Sequence, residues 1–153
     1  MKRKFFLTDM PVWLVLVLTL IMLPRTILND IGVLEESSLA YRIVALTPFA
    51  VWLVVAIWRK SKKPFMDFLV LGVLFGLSLA AVHQMLWSVA SSLGHHPPTA
   101  AISFAEQFPA DVKELVIRGY TVMVSLVIGV GSGVVIGGIA VLARLVRSRR
   151  QSK

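Results

Sequence analysis

The stretch Gly119–Val146, GYTVMVSLVIGVGSGVVIGGIAVLARLV, decides how the whole chain is read. It carries no charge before Arg144, and as a helix it is long enough to cross a hydrocarbon core of about 30 Å. In such a solvent the backbone N–H and C=O groups have no partners except each other, so the segment must be helical. Three more runs meet the same test: Pro11 to Leu28, Tyr41 to Trp58 and Phe65 to Ala90. None shows the alternating ten-residue strands of a membrane barrel. Composition agrees, since 57% of the 153 residues are hydrophobic and 16% charged, whereas a soluble domain carries about a quarter charged residues. The expectation is one all-α domain over residues 1–153, an integral membrane four-helix bundle. Its sizeable soluble segment is the loop at about residues 91–118.

The same stretch holds the clearest packing motif. Ser125, Gly129, Gly133 and Gly137 recur every four residues, and Gly72, Gly76 and Ala80 do the same in the third span. At about 100° per residue each set forms a stripe of small side chains. Because lipid supplies no hydrophobic drive between helices, close backbone approach along such stripes carries the association. The simplest arrangement packs the two stripes together, within one subunit or between subunits. Gly131 and Gly138 fall on the opposite side of the last span, which points to a second neighbour and thus to a homo-oligomer or a membrane partner. Glycine is also simply common in membrane helices, and that reading stays open.

Basic residues set the orientation. Lys2, Arg3, Lys4, then Arg59, Lys60, Lys62, Lys63, and finally Arg144, Arg147, Arg149, Arg150 and Lys153 share one side, while Asp30, Glu35, Glu36, Glu106, Asp111 and Glu114 fall on the other. The positive-inside rule places both termini and the loop RKSKKP in the cytoplasm, as in the plasma membrane of a bacterium. The net charge of +8 is therefore a topology signal, and nucleic acid is not an expected partner. The first span reads as an uncleaved anchor because its apolar run is long and ends at Pro24-Arg25 without small residues. Trp13, Trp52, Trp58 and Trp87 read as interfacial anchors. The two hairpins share a layout, with Leu39 and Arg42 matching Leu115 and Arg118, as a duplication or any alternating topology would give.

Few polar groups remain inside the spans, where a charge costs roughly 2.5–3.5 kcal/mol on insertion scales. His83 and Gln84 sit in the outer half of the third span, with Arg25 near the outer end of the first. Together they form a candidate ligand site; the alternatives are an inter-helix hydrogen bond for His83 and snorkelling for Arg25. Asp67 reads as an interfacial ion pair with Lys62 or Lys63. In the outer loop, GHHPP at residues 94–98 is a sharp break, and TAAISFAEQFP rests Ile102, Phe104, Ala105 and Phe108 on the membrane surface. Asp111 and Glu114 suit the start of the last helix, Glu114 pairing with Arg118.

No cysteine is present, and His83, His95 and His96 match no zinc spacing, so neither metal nor cofactor is expected. Nucleophile, phosphate-loop and HExxH patterns are missing, and no enzymatic role is expected. Two readings of function follow. One is a protein that acts through helix–helix association, as an oligomer or an accessory subunit. The other is a small dimeric transporter or channel with its site near Arg25, His83 and Gln84.

Overall fold

The computed structural model describes residues 7–31, 33, 38–93 and 97–151, with the backbone alone at 29, 150 and 151. The charges at Lys2, Arg3, Lys4, Glu35, Glu36 and Lys153, the Arg150 side chain and the His95-His96 pair lie outside the described residues. Those described are all-helical, and three helices are long and apolar enough to cross a membrane.

The first expected span is not one helix. It divides into α1 (Val12–Leu20) and α2 (Leu23–Asp30), separated at Ile21-Met22. Nine residues rise only about 14 Å, so neither piece alone matches the hydrocarbon thickness. Proline at position 24 is the cause. It offers no N–H to the Leu20 carbonyl, its ring crowds that carbonyl, and it disfavours helical geometry at Leu23. The chain answers by tightening, with the Met22 N–H bonding to Thr19 O at 3.1 Å. The released Leu18 carbonyl accepts the indole N–H of Trp52 at 2.9 Å. Trp52 is 0% exposed and sits at the core, whereas Trp58 is 80% exposed. The interfacial role expected of Trp52 is thus corrected: its N–H serves the break in the first span.

α3 (Leu39–Trp58) starts at Ser38, whose hydroxyl accepts from the Tyr41 N–H, and it contains Pro48. α4 (Pro64–Met85) opens on its proline, the position where a missing N–H costs nothing. The third expected span also divides, since α4 ends at Met85 and α5 (Trp87–Ser92) follows a bend at Leu86. α6 (Thr99–Ala105) lies in the segment expected to rest on the membrane surface. Ala101 and Ala105 are buried there, while Ile102, Phe104 and Phe108 are partly exposed, and Phe104 rests 5.7 Å from the Tyr120 ring. α7 runs Lys113–Gln151, well beyond the expected bounds of its span at both ends.

α4 and α7 make the most extensive helix pair, and they run antiparallel. Their backbones touch along the small-residue stripes. A Cβ built on Gly72 would lie 2.4 Å from the Gly129 carbonyl oxygen, and one on Gly129 would lie 2.4 Å from the Gly76 Cα. A Cβ on Gly133 would lie 2.5 Å from the Phe68 carbonyl oxygen, Gly137 faces Phe65, and Ser125 and Ala80 are buried. No other side chain fits where backbone meets backbone at that distance. Gly131 and Gly138 have open space around them. Beside this seam, Phe49, Trp52 and Phe75 pack edge to face over Leu18, Met22, Leu71 and Leu79.

At the basic end the chain is tied down by polar contacts. Asp67 is 0% exposed and accepts from the Thr8 hydroxyl and from the Asp9 N–H at 2.8 Å. The ion pair expected with Lys62 or Lys63 is replaced by these contacts, because Asp67 points at the segment before α1. Asp9 in turn accepts from the Lys62 N–H through its carboxylate and from Arg59 through its carbonyl. Arg147 reaches the carbonyls of Trp58 and Arg59.

Candidate functional site

At the end of the bundle away from the Arg59–Lys63 loop, the helices diverge around a cavity of about 950 Å³. Met22, Arg25, Thr26 and Asp30 of α2 and its lead-in line one side, and Tyr41, Pro48 and Phe49 of α3 the next. Phe75, Leu79 and His83 of α4, Trp87 of α5, and Tyr120, Thr121 and Ser125 of α7 complete the wall, with Pro97–Ala100 beside the mouth. The volume suits a small organic molecule, and the lining mixes aromatic surface with a few polar groups, as such sites do.

The interruptions of the helices collect here. Met22 belongs to the α1–α2 break, Pro48 removes an N–H from the middle of α3, and Trp87 follows the Leu86 bend. Backbone that departs from the helix at membrane depth is tolerated where protein or a wet cavity covers it.

Arg25 is the site's cation. Its Nη2 donates to the Tyr41 hydroxyl at 2.6 Å, and the guanidinium lies 4.9 Å from the centre of the same ring. Among the described residues it has no carboxylate partner. Both contacts are to a neutral phenol, so no carboxylate among the described residues balances the guanidinium charge.

His83 and Asp30 form the second polar pair. Asp30 is 8% exposed, and its Oδ2 lies 2.8 Å from His83 Nδ1. Asp30, grouped in the sequence with the outer acidic residues, is also the group that orients the His83 ring. Among the described residues no hydroxyl is hydrogen-bonded to His83, and those of Thr121 and Ser125 donate to backbone carbonyls of their own helix.

Of the three candidate ligand residues, Arg25 and His83 share the cavity. Gln84 does not: its amide reaches toward the Arg118 carbonyl at 3.5 Å on the α7 side. Arg118 itself pairs with Glu114 at 2.8 Å and stacks over the Trp87 ring at 4.9 Å. Tyr41, Asp30 and Trp87 are the members that single-residue reading missed. Their signal was aromatic and acidic character near the ends of spans, which topology had already claimed. No described group of three or more His, Asp or Glu residues has the arrangement of a metal site.

No protein-family model, curated protein or solved structure matches this sequence.

Proposed function

We propose that this chain is a small membrane carrier that binds an amphipathic organic anion in the cavity between α2, α3, α4 and α7. The observation that carries the reading is the meeting of two helix breaks and the proline-bearing middle of α3 at one cavity whose cation, Arg25, has no described counter-charge. Discontinuous helices around the binding site are the usual construction of secondary transporters. The anion's charged group pairs with Arg25, and its apolar body lies against Phe49, Phe75, Leu79 and Trp87. Asp30 held by His83 marks the far polar wall and disfavours a second negative charge there.

In this reading α1 and α2 together make a fourth crossing, and both termini and the basic loop face the cytoplasm of a bacterial cell. The cavity then opens toward the outer half, and the chain performs no covalent chemistry. Proteoliposomes holding the full chain are expected to take up phenyl phosphate or a naphthalene sulfonate faster than protein-free vesicles. Equal rates would reject the carrier reading.

A second reading, association with another copy or a partner subunit, is favoured by the open space at Gly131 and Gly138. The stripe from Ser125 to Gly137 no longer motivates it, because α4 occupies that face within one chain. Cross-linking that is unchanged by Gly131→Leu and Gly138→Leu would remove it.

A further inference from the structure

We propose that the cleft between the start of α4 and the C-terminal part of α7 is a binding site for an anionic phospholipid. This cleft lies at the opposite end of the molecule from the cavity described above and does not depend on the carrier reading. Its volume is about 410 Å³, and Lys63, Phe65, Met66, Arg144, Leu145 and Ser148 are among its walls.

The two tiers of this cleft match the two parts of a phospholipid. At the rim stand Lys63, the residue before α4, and Arg144. Arg144 is held in place by donating Nη1 to the Lys62 carbonyl at 2.7 Å, which leaves Nε and Nη2 for another acceptor. Among the described residues neither cation has a carboxylate partner. No acidic side chain lines the cleft, and Asp67, one turn into α4, is turned away toward Thr8 and Asp9. Phe65 and Met66, just inside α4, and Val141, one turn before Arg144, give the cleft an apolar wall below the rim, with Leu145 beside Arg144. A phosphate diester at the rim with an acyl chain down the wall satisfies both tiers at once. A soluble phosphate would leave the apolar wall bare, and an uncharged or zwitterionic lipid would leave one cation without its counter-charge. Basic pockets between helices on the positive side of a membrane protein bind anionic head groups in this way.

The test is native mass spectrometry of the full chain released from detergent and titrated with phosphatidylglycerol or phosphatidylcholine of identical acyl chains. The wild type is expected to retain phosphatidylglycerol with about tenfold preference, in keeping with two cations near the head group. Lys63→Gln with Arg144→Gln is expected to abolish the preference. Lys60→Gln with Lys62→Gln, which removes the same charge from the same end, is expected to keep it. Should the first pair fail to fold, Leu145→Trp fills the apolar wall without touching charge and is expected to lower retention of the lipid. No preference in the wild type, or equal loss in both charge variants, overturns the proposal. Displacement of the lipid by millimolar glycerol phosphate also overturns it, since the site would then read a free phosphate ester.

Discussion

The indole of Trp52 donates its N–H to the carbonyl of Leu18, 34 residues earlier, at 2.9 Å. The bond closes the gap that Pro24 opens in the first apolar run. Without it, a carbonyl would face the core with no partner, at a cost of about 1–3 kcal/mol. Trp52→Phe keeps most of the aromatic packing with Phe49 and Phe75 but removes the donor. It is expected to lower stability in detergent by that amount, read as the midpoint of thermal unfolding. A variant as stable as the wild type would mean that water or a rearranged turn serves Leu18 equally well.

The α4–α7 seam makes a sharper contrast. Gly129→Ala would drive a methyl group into the Gly76 backbone, which cannot move aside as a flexible side chain can. Overpacking of this kind costs typically about 1–3 kcal/mol, and contact with backbone belongs at the upper end. Gly131→Ala, two residues on, meets nothing within 4 Å and is expected to leave stability unchanged or raise it by up to about 1 kcal/mol, since alanine favours the helix over glycine. Denaturant titration of both variants in one detergent checks the difference directly.

Thr8 and Asp67 fasten the segment before α1 to α4. Thr8→Val removes a hydroxyl that donates to a buried carboxylate while itself accepting from the Met10 N–H at 2.9 Å. The expected loss is about 1.5–3 kcal/mol, because one partner is charged. Limited proteolysis should show faster cleavage near Leu7–Met10 in this variant, and an unchanged rate would show that the anchoring lies elsewhere.

His83 and Asp30 should behave as a coupled unit. Their double-mutant cycle, His83→Ala against Asp30→Ala, is expected to show a coupling of at least about 0.5 kcal/mol in unfolding free energy, as contacting polar pairs do. Additive effects would mean that the 2.8 Å contact carries no energy.

The helical character and three of the four apolar spans were legible because both follow from composition and run length. Four-residue spacing likewise marked Gly72, Gly76, Gly129 and Gly133, and those are the positions where the α4 and α7 backbones meet. What spacing could not supply was the identity of neighbours across the bundle. Asp67 was assigned to nearby lysines, yet its partners are Thr8 and Asp9, 59 and 58 residues away. Trp52 read as an interfacial ring because tryptophan usually is one near a span end, and only the break at Ile21-Met22 gives its N–H an internal task. Pro24 was visible in the sequence as the end of an apolar run, but its effect reached back two residues and divided the helix. At the candidate site Arg25 and His83 stood out as costly groups in lipid. Tyr41 and Asp30 did not, because each lies within reach of a surface that would have satisfied it.

The carrier account rests on Arg25 pairing with an anion inside the cavity. Calorimetric titration of the full chain in nanodiscs with phenyl phosphate tests this most directly, with wild type and Arg25→Gln measured side by side. Losing a charge-assisted contact of about 1.5–3 kcal/mol predicts saturable binding by the wild type and at least about tenfold weaker binding by the variant. Identical titration of the two proteins, or no saturable heat from the wild type with any aromatic anion, would contradict it.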